Sequence, residues 1–274
     1  MFNGFDLSTI SDAKIGNTQI NQIFYGSTLI WPTTPPPHDY SQDYLTIVSL
    51  EDNNTIGWRK VDYGAPTKTI SVSTDGGLTW TQRSSDTTEP VGTVLATLNT
   101  GDKLLVKGNN SSYGYPNLYY TYMFDSTGTF DVEGNIMSLI YGDNFIGQTT
   151  LTEVKTFIHI FYNCKLINAN NLILPATTLT NSCYHSLFSG CTLLINAPEL
   201  IYATTIPTGA YSEMFMNCLS LNYIKCLATD ISATNCLQNW VQGVAATGTF
   251  VKDANTTWPT GSSGIPANWT VVNN

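Results

Sequence analysis

Phe161-Tyr-Asn-Cys164, Phe188-Ser-Gly-Cys191 and Phe215-Met-Asn-Cys218 carry one pattern at one spacing, 27 residues from 161 to 188 and again from 188 to 215. The register runs beyond the motif. Pro175-Ala-Thr-Thr-Leu179, Tyr202-Ala-Thr-Thr-Ile206 and Leu227-Ala-Thr-Asp-Ile231 are the same segment, the last after a two-residue deletion. Tyr184, Tyr211 and Cys236 align, and Trp240 takes the place of the repeated Phe. A fixed period in the twenties predicts stacked structural units, each too small to bury its own apolar face. Leu172-Ile-Leu174, Leu200-Ile-Tyr202 and Tyr223-Ile-Lys225 are the expected strands. Asn181–Ser189 is an expected helix, because Tyr184, Leu187 and Phe188 fall at i, i+3 and i+4.

The flanks fit that plan. Asn135–Tyr141 reads as an opening strand, Thr152–Phe161 as a first helix with Phe157 and Phe161 on one face, and Thr249–Val251 as a closing strand. A Gly-, Pro- and Trp-rich tail would then cap the far end. All six cysteines (164, 183, 191, 218, 226, 236) lie in this region. None forms a Cys-x-x-Cys pair. A disulfide framework is one reading. The repeat spacing favours ladders of small buried thiols.

These residues resemble the BspA-type leucine-rich repeats of gut Bacteroidetes and of the phages that infect them, crAss-like phages included. The likeness covers about residues 131–274 and rests on Phe-x-x-Cys, Pro-Ala-Thr-Thr-Leu and the tail Cys226-Leu-Ala-Thr, Asn239-Trp240 and Gly248-Thr-Phe-Val251. It implies a recognition or surface-display module, not a catalyst.

Upstream, the segment 43–131 reads as all-β. Tyr44–Leu50 is β-branched and apolar, and Lys68–Ser73 alternates with period two. Thr93–Leu98 and Lys103–Lys107, joined through Thr-Gly-Asp, read as a hairpin. Strands at such intervals indicate a sandwich. Ser73-Thr-Asp-Gly-Gly-Leu-Thr-Trp80 resembles the Asp-box of sialidase propellers. One copy is better explained as a tight turn between two strands. Tyr113, Tyr115, Tyr119, Tyr120 and Tyr122 crowd one stretch. Tyr113, Tyr115 and Tyr119 are candidate contacts for a glycan or a partner protein, since an aromatic face can stack on either. The plainer reading is that they fill a strand.

Residues 1–31 form a separate small β module with turns at Gly16-Asn17 and Gly26-Ser27. It cannot bury a core alone. Ile15, Ile20, Ile23, Tyr25, Leu29 and Trp31 are its candidate attachment residues. Pro32-Thr-Thr-Pro-Pro-Pro37 starts a stiff linker, residues 32–42. The module is similar to the N-terminal attachment modules of phage virion proteins.

The expected fold class is therefore multi-domain and mainly β with an α/β part. It comprises an N-terminal module (1–31), the linker (32–42), a sandwich (43–131) and a short leucine-rich-repeat-like solenoid with its cap (132–274).

Composition narrows the function. Charged residues make up 11% of the 274, and the net charge is −9 with 11 basic residues in no cluster. That argues against nucleic-acid binding, which needs clustered cations. No apolar run reaches the length of a membrane span, and the N-terminus lacks the basic and apolar regions of a secretory signal.

The three histidines, 38, 159 and 185, make no metal-ligand or nucleophile motif. Asp143, Glu153, Glu199 and Glu213 are unpaired in spacing, and Asp52-Asn-Asn54 is too sparse for a Ca²⁺ loop. No catalytic, cofactor or metal residues are expected.

The expectation is a structural phage virion protein, a head fibre or decoration protein. Its N-terminus would dock on a capsid or other virion protein. The chain would be a homo-oligomer on the virion surface, made in the host cytoplasm and released by lysis, and would present a host-recognition surface to a glycan or protein. The alternatives are a tail fibre or receptor-binding accessory, or a bacterial BspA-like adhesin.

Overall fold

The structure, a computed structural model, describes residues 14–15, 18–19, 23–25, 28–31, 37–61, 64–88, 90–114 and 122–274. The chain divides into two units, Met1–Asp39 and Tyr40–Asn274.

In the first unit, β1 (Lys14–Ile15) pairs antiparallel with β2 (Thr18–Gln19). β3 (Ile23–Tyr25) pairs antiparallel with β4 (Thr28–Trp31). Both expected hairpins are thus present as strand pairs.

The second unit opens with two facing sheets in a sandwich-like arrangement. One holds, in order, β13 (Asn171–Ile173), β12 (Phe130–Asn135), β5 (Leu45–Ser49), β10 (Lys103–Gly108), β7 (Thr69–Ser73) and β8 (Thr81–Ser84). The other holds β11 (Tyr122–Ser126), β6 (Asn54–Lys60) and β9 (Thr93–Leu98). Period-two alternation decides which side chains face inward. Leu104 and Val106 of β10 and Ile70 and Val72 of β7 are buried toward the core, with Ile56 and Trp58 of β6 opposite. The Trp58 ring packs edge-on against Tyr113 at 5.6 Å and tilted against Phe124 at 5.0 Å.

The structure corrects the hairpin expected over 93–107. β9 pairs with β6, whereas β10 pairs with β5 and β7. The Gly101 turn therefore carries the chain from one sheet to the other. Its amide bonds to Ser49 O, not across a hairpin. A turn signal marks a reversal but does not say which sheet receives the next strand.

The boundary expected at 131/132 also disappears. It falls inside β12, which pairs antiparallel with β5 and parallel with β13. The opening strand expected at Asn135–Tyr141 is instead the end of β12 followed by a four-residue helix α1 (Ser138–Tyr141).

The repeats stack as coils, but their expected helices are absent. Over 181–191 the chain is a ribbon of overlapping four-residue turns. Cys183, His185, Leu187, Ser189 and Cys191 each donate an N–H to the carbonyl three residues back. The residues between them donate to the next coil, from Ser182 to Thr208 O through Gly190 to Met216 O. The same ladder joins Lys155–Asn163 to Asn181–Ser189, and Gly209–Asn217 to Thr234–Gln242. Every fourth residue has positive φ, as at Ser182, Ser186 and Gly190 (55°, 52° and 79°). Every second turn is therefore of the type that demands a left-handed third residue. This is why the helices expected at Asn181–Ser189 and Thr152–Phe161 are not there. Over nine residues, a ribbon of period four buries i, i+3 and i+4 as a helix of period 3.6 does. Asn163, Asn217, Asn235 and Asn239 supply the side chain best suited to the left-handed positions.

The Phe-x-x-Cys motif acquires a physical role. Phe161, Phe188 and Phe215 stack face to face, with centroids 5.6 Å apart at both steps and rings within 4° and 6° of parallel. Each Cys thiol three residues on donates to the carbonyl of a Phe one coil earlier. Cys191 Sγ lies 2.9 Å from Phe161 O, and Cys218 Sγ 3.1 Å from Phe188 O. Cys164 does the same to Phe124 O of β11 at 2.9 Å, and the Phe124 ring stacks on Phe161. The spine thus begins inside the sandwich. It ends at Trp240, which packs on Phe215, Phe250 and Trp258. All six cysteines are free and buried.

Parallel strands β14 (Tyr223–Cys226), β15 (Thr249–Lys252) and β16 (Thr270–Asn273) close the far end. The expected strand at Leu200–Tyr202 is reduced to a single bridge between Leu200 and Cys226. The tail buries Trp258, Ile265 and Trp269. It also satisfies the last coil through Trp240 Nε1 to Gly264 O at 2.7 Å.

Candidate functional site

A groove of about 580 Å³ lies between the last coil and the closing loop. One wall is Thr229–Gln238, and the other is Asn255–Thr257 with Pro259 and Ser263. The ladder fixes the first wall, since Thr229 and Asp230 donate their amides to Thr204 O. Lys252 fixes the second by donating Nζ to Asp253 O and Thr256 O at 3.0 and 2.8 Å.

Asp230 accepts from Ser232 N at 3.1 Å and Ser232 Oγ at 2.7 Å. The Ser232 hydroxyl, then its amide, hold the Asp230 carboxyl below the usual range. The Cys236 thiol donates to Ile231 O, and burial raises its pKa. Asp230 is the one charged side chain in a lining otherwise of hydroxyls, amides and small apolar patches at Ile231, Leu237 and Pro259. Such a surface offers alternating donors and acceptors with almost no charge. It suits a neutral polyhydroxyl or polar chain and gives no counter-charge to a polyanion.

The Asp-box segment folds as a structural turn between β7 and β8. Asp75 accepts from Ser73 Oγ, Thr79 N and Thr79 Oγ1, at 2.7, 3.0 and 2.5 Å. The Thr79 hydroxyl and amide are the main reasons its carboxyl is strongly acidified. Trp80 bonds back to Gly77 O and lies under Lys107 Nζ, which is 4.0 Å from the ring centre. Lys107 is paired with Asp143 at 2.6 Å, and Tyr44 donates to the same carboxylate. Burial, then that carboxylate, pushes the Tyr44 phenol up to about 12. Tyr44, Lys107 and Asp143 are thus paired with one another within this cluster.

The remaining candidates are placed as follows. Tyr113 is fully buried and donates to Leu139 O at 2.8 Å. It is a core residue, a correction to its expected role as an exposed contact. Tyr115 and Tyr119 lie outside the described residues. Of the candidate attachment residues, Ile15 is in β1, Ile23 and Tyr25 in β3, and Leu29 and Trp31 in β4, where the backbones of Ile23 and Trp31 pair. Ile20 lies outside the described residues. Glu199 is bridged to Lys225 at 3.2 Å.

Among the described residues, no group of three or more His, Cys, Asp and Glu is placed to hold a metal. Also among them, no helix is long and apolar enough to cross a membrane. Comparison with protein-family models, with curated proteins and with solved structures gives no match. The groove residues Asp230, Asn235, Gln238 and Asn255 carry no sequence signal. Hydroxyl and amide residues are abundant throughout this chain, so composition does not single them out.

Proposed function

We propose that the chain is a structural phage virion protein, a head fibre or decoration protein. Residues 1–31 attach it to the particle, and the body from residue 40 onward faces outward. We read the stacked coils as a short solenoid of the BspA leucine-rich-repeat type, with the end groove as the host-recognition surface. The observation that carries this reading is the division of the chain between Asp39 and Tyr40. The first unit holds two short hairpin pairs, and a Pro-rich run precedes the division. A hairpin unit of that size needs a partner surface to be stable. A capsid or other virion protein, met by a homo-oligomer of this chain, supplies one.

Deleting residues 1–37 is expected to abolish incorporation into particles while leaving a folded remainder. Normal incorporation of the truncated chain refutes the proposal. The coil stack alone equally suits a bacterial adhesin. Gene neighbours separate the two: capsid and portal genes support the virion reading, and polysaccharide-utilisation genes the adhesin. Labelled particles distinguish head from tail.

A further inference from the structure

On the flank of the stack lies a second groove, of about 270 Å³. Its base is a column of three residues one repeat apart, His159, Ser186 and Glu213. All three occupy left-handed backbone positions, with φ of 61°, 52° and 56°. Most such positions in the other columns hold Asn or Gly, and the fourth coil has Asn239 in this one. Glutamate gains nothing from that backbone. Strained positions held by chemically active side chains point to use of those side chains.

The contacts within the column are specific. Ser186 Oγ donates to Glu213 Oε2 at 3.1 Å, and His185 Nε2 lies 3.9 Å from the same carboxylate. The His159 and His185 rings meet edge to face at 5.7 Å, and Tyr162 packs edge-on against His159 at 5.1 Å. His159 Nδ1 is buried without a partner. Burial holds both imidazoles toward the neutral form. Among the described residues, Glu213 is therefore the single charge lining the groove. Lys155, whose charge acts on both imidazoles, is two coils away along the stack, about 10 Å at the usual strand spacing. The walls are Val61 and Met123 from the sandwich, and Tyr162 and Met216 from the coils.

This is not a nucleophilic triad. Ser186 is 1% exposed and gives its hydrogen bond to the carboxylate rather than to an imidazole. Anions meet only Glu213. A guanidinium fork needs both carboxylate oxygens, and Ser186 occupies one. One free carboxylate oxygen under thioether and aliphatic walls suits a compact cation on an apolar stem. We propose that this groove binds a primary ammonium group carried on a short alkyl chain, with Glu213 as counter-charge, Ser186 holding the Glu213 carboxylate in place and Met123 and Met216 around the methylenes. The source is either a lysine side chain of a partner protein or a free alkylamine. The assignment is independent of the virion reading.

The test is calorimetric titration of the full chain with n-pentylamine, n-pentanol, n-pentylguanidine and Nα-acetyl-lysine N-methylamide. Pentylamine is expected to saturate with Kd on the order of 1 mM, in keeping with so small a ligand. Pentanol should bind at least about tenfold more weakly, because it lacks the charge, and pentylguanidine should also be weaker. Glu213→Gln should cost pentylamine about tenfold in affinity, a change of about 1.4 kcal/mol, without altering the melting temperature. Met216→Ala should cost less. Tighter binding of the lysine derivative assigns the site to a partner's side chain, and tighter binding of pentylamine to a free amine. Both results support the proposal. Pentanol or pentylguanidine binding as well as pentylamine, no saturation by either amine, or unchanged affinity in a folded Glu213→Gln variant overturns it. If Glu213→Gln unfolds, the comparison of ligands on the unmodified chain decides alone.

Discussion

Replacing Phe188 by Ala attacks the aromatic spine at its centre. The ring is fully buried and stacked on Phe161 and Phe215, 5.6 Å from each. Removing a buried Phe side chain costs about 3–5 kcal/mol in transfer and cavity terms. Losing two aromatic pairs adds about 0.5–1.5 kcal/mol each. The backbone ladder stays, because Phe188 N to Met214 O and the Cys218 thiol to Phe188 O use main-chain atoms. The expected loss is therefore about 4–8 kcal/mol, a large share of the roughly 5–15 kcal/mol by which a domain is stable. Urea unfolding followed by far-ultraviolet circular dichroism and by tryptophan fluorescence measures it. Both probes should shift together, because Trp58 and Trp240 sit at the two ends of the same spine. Phe188→Leu, which refills most of the volume, should recover more than half of the loss. A loss below about 1 kcal/mol, or a shift in only one probe, refutes the account of a continuous core.

Three further outcomes are expected. Because all six thiols are buried, and burial pushes those of Cys183, Cys191 and Cys226 up to about 12, an aromatic disulfide reagent should titrate none of them rapidly until the chain unfolds. Fast native reaction of any cysteine contradicts the thiol ladder. Burial, chiefly, lowers the pKa of His159 from 6.5 to about 4. Between those values the unfolded chain takes up a proton that the folded chain refuses, so stability is full above pH 6.5 and falls as pH drops, by at most about 3 kcal/mol. His159→Asn, which keeps a left-handed-tolerant residue, should remove that part of the acid sensitivity in paired unfolding curves at pH 7 and 4. An unchanged slope refutes it. Gly190→Ala adds a Cβ 3.1 Å from Asn163 Oδ1 at φ +79°, and should cost about 1–2 kcal/mol in thermal unfolding. Gly101→Ala, with nothing within 4 Å of its added Cβ, should cost less.

The repeat was legible in the sequence because a stacked ladder needs the same side chain at the same place in each coil. Phe161, Phe188 and Phe215 could not drift without breaking it. Its local conformation was not legible. Nine residues are too few to separate a period of four from one of 3.6, so Asn181–Ser189 reads as a helix. Strands Leu45–Ser49 and Thr69–Ser73 were visible from β-branched and alternating residues. The partner of Thr93–Leu98 was not, since pairing across sheets is decided by the whole core. The merger of the two expected domains hinges on Phe124, one aromatic among many in its stretch. Tyr113 was open to both a surface-contact and a packing reading for a related reason: polar-tipped aromatics are common on both surfaces and cores, and only Leu139 O shows where its hydroxyl goes. The end groove is made of residues that are ordinary everywhere else in the chain.

The spine that starts at Phe124 has a consequence for how such a protein changes length. Each coil offers its successor the same edge that it received, and the sandwich supplies the first edge ready-made. An insertion of one whole repeat, 27 residues by the spacing of Phe161 and Phe188, therefore asks nothing new of either end. It would carry the closing groove outward by about 4.8 Å, one strand spacing, while every thiol and ring finds a familiar neighbour. Fractional insertions would set Phe against Cys and fail. The stack is thus a ruler graduated in single coils, and length can be gained or given up in those steps while the sandwich and the groove stay as they are.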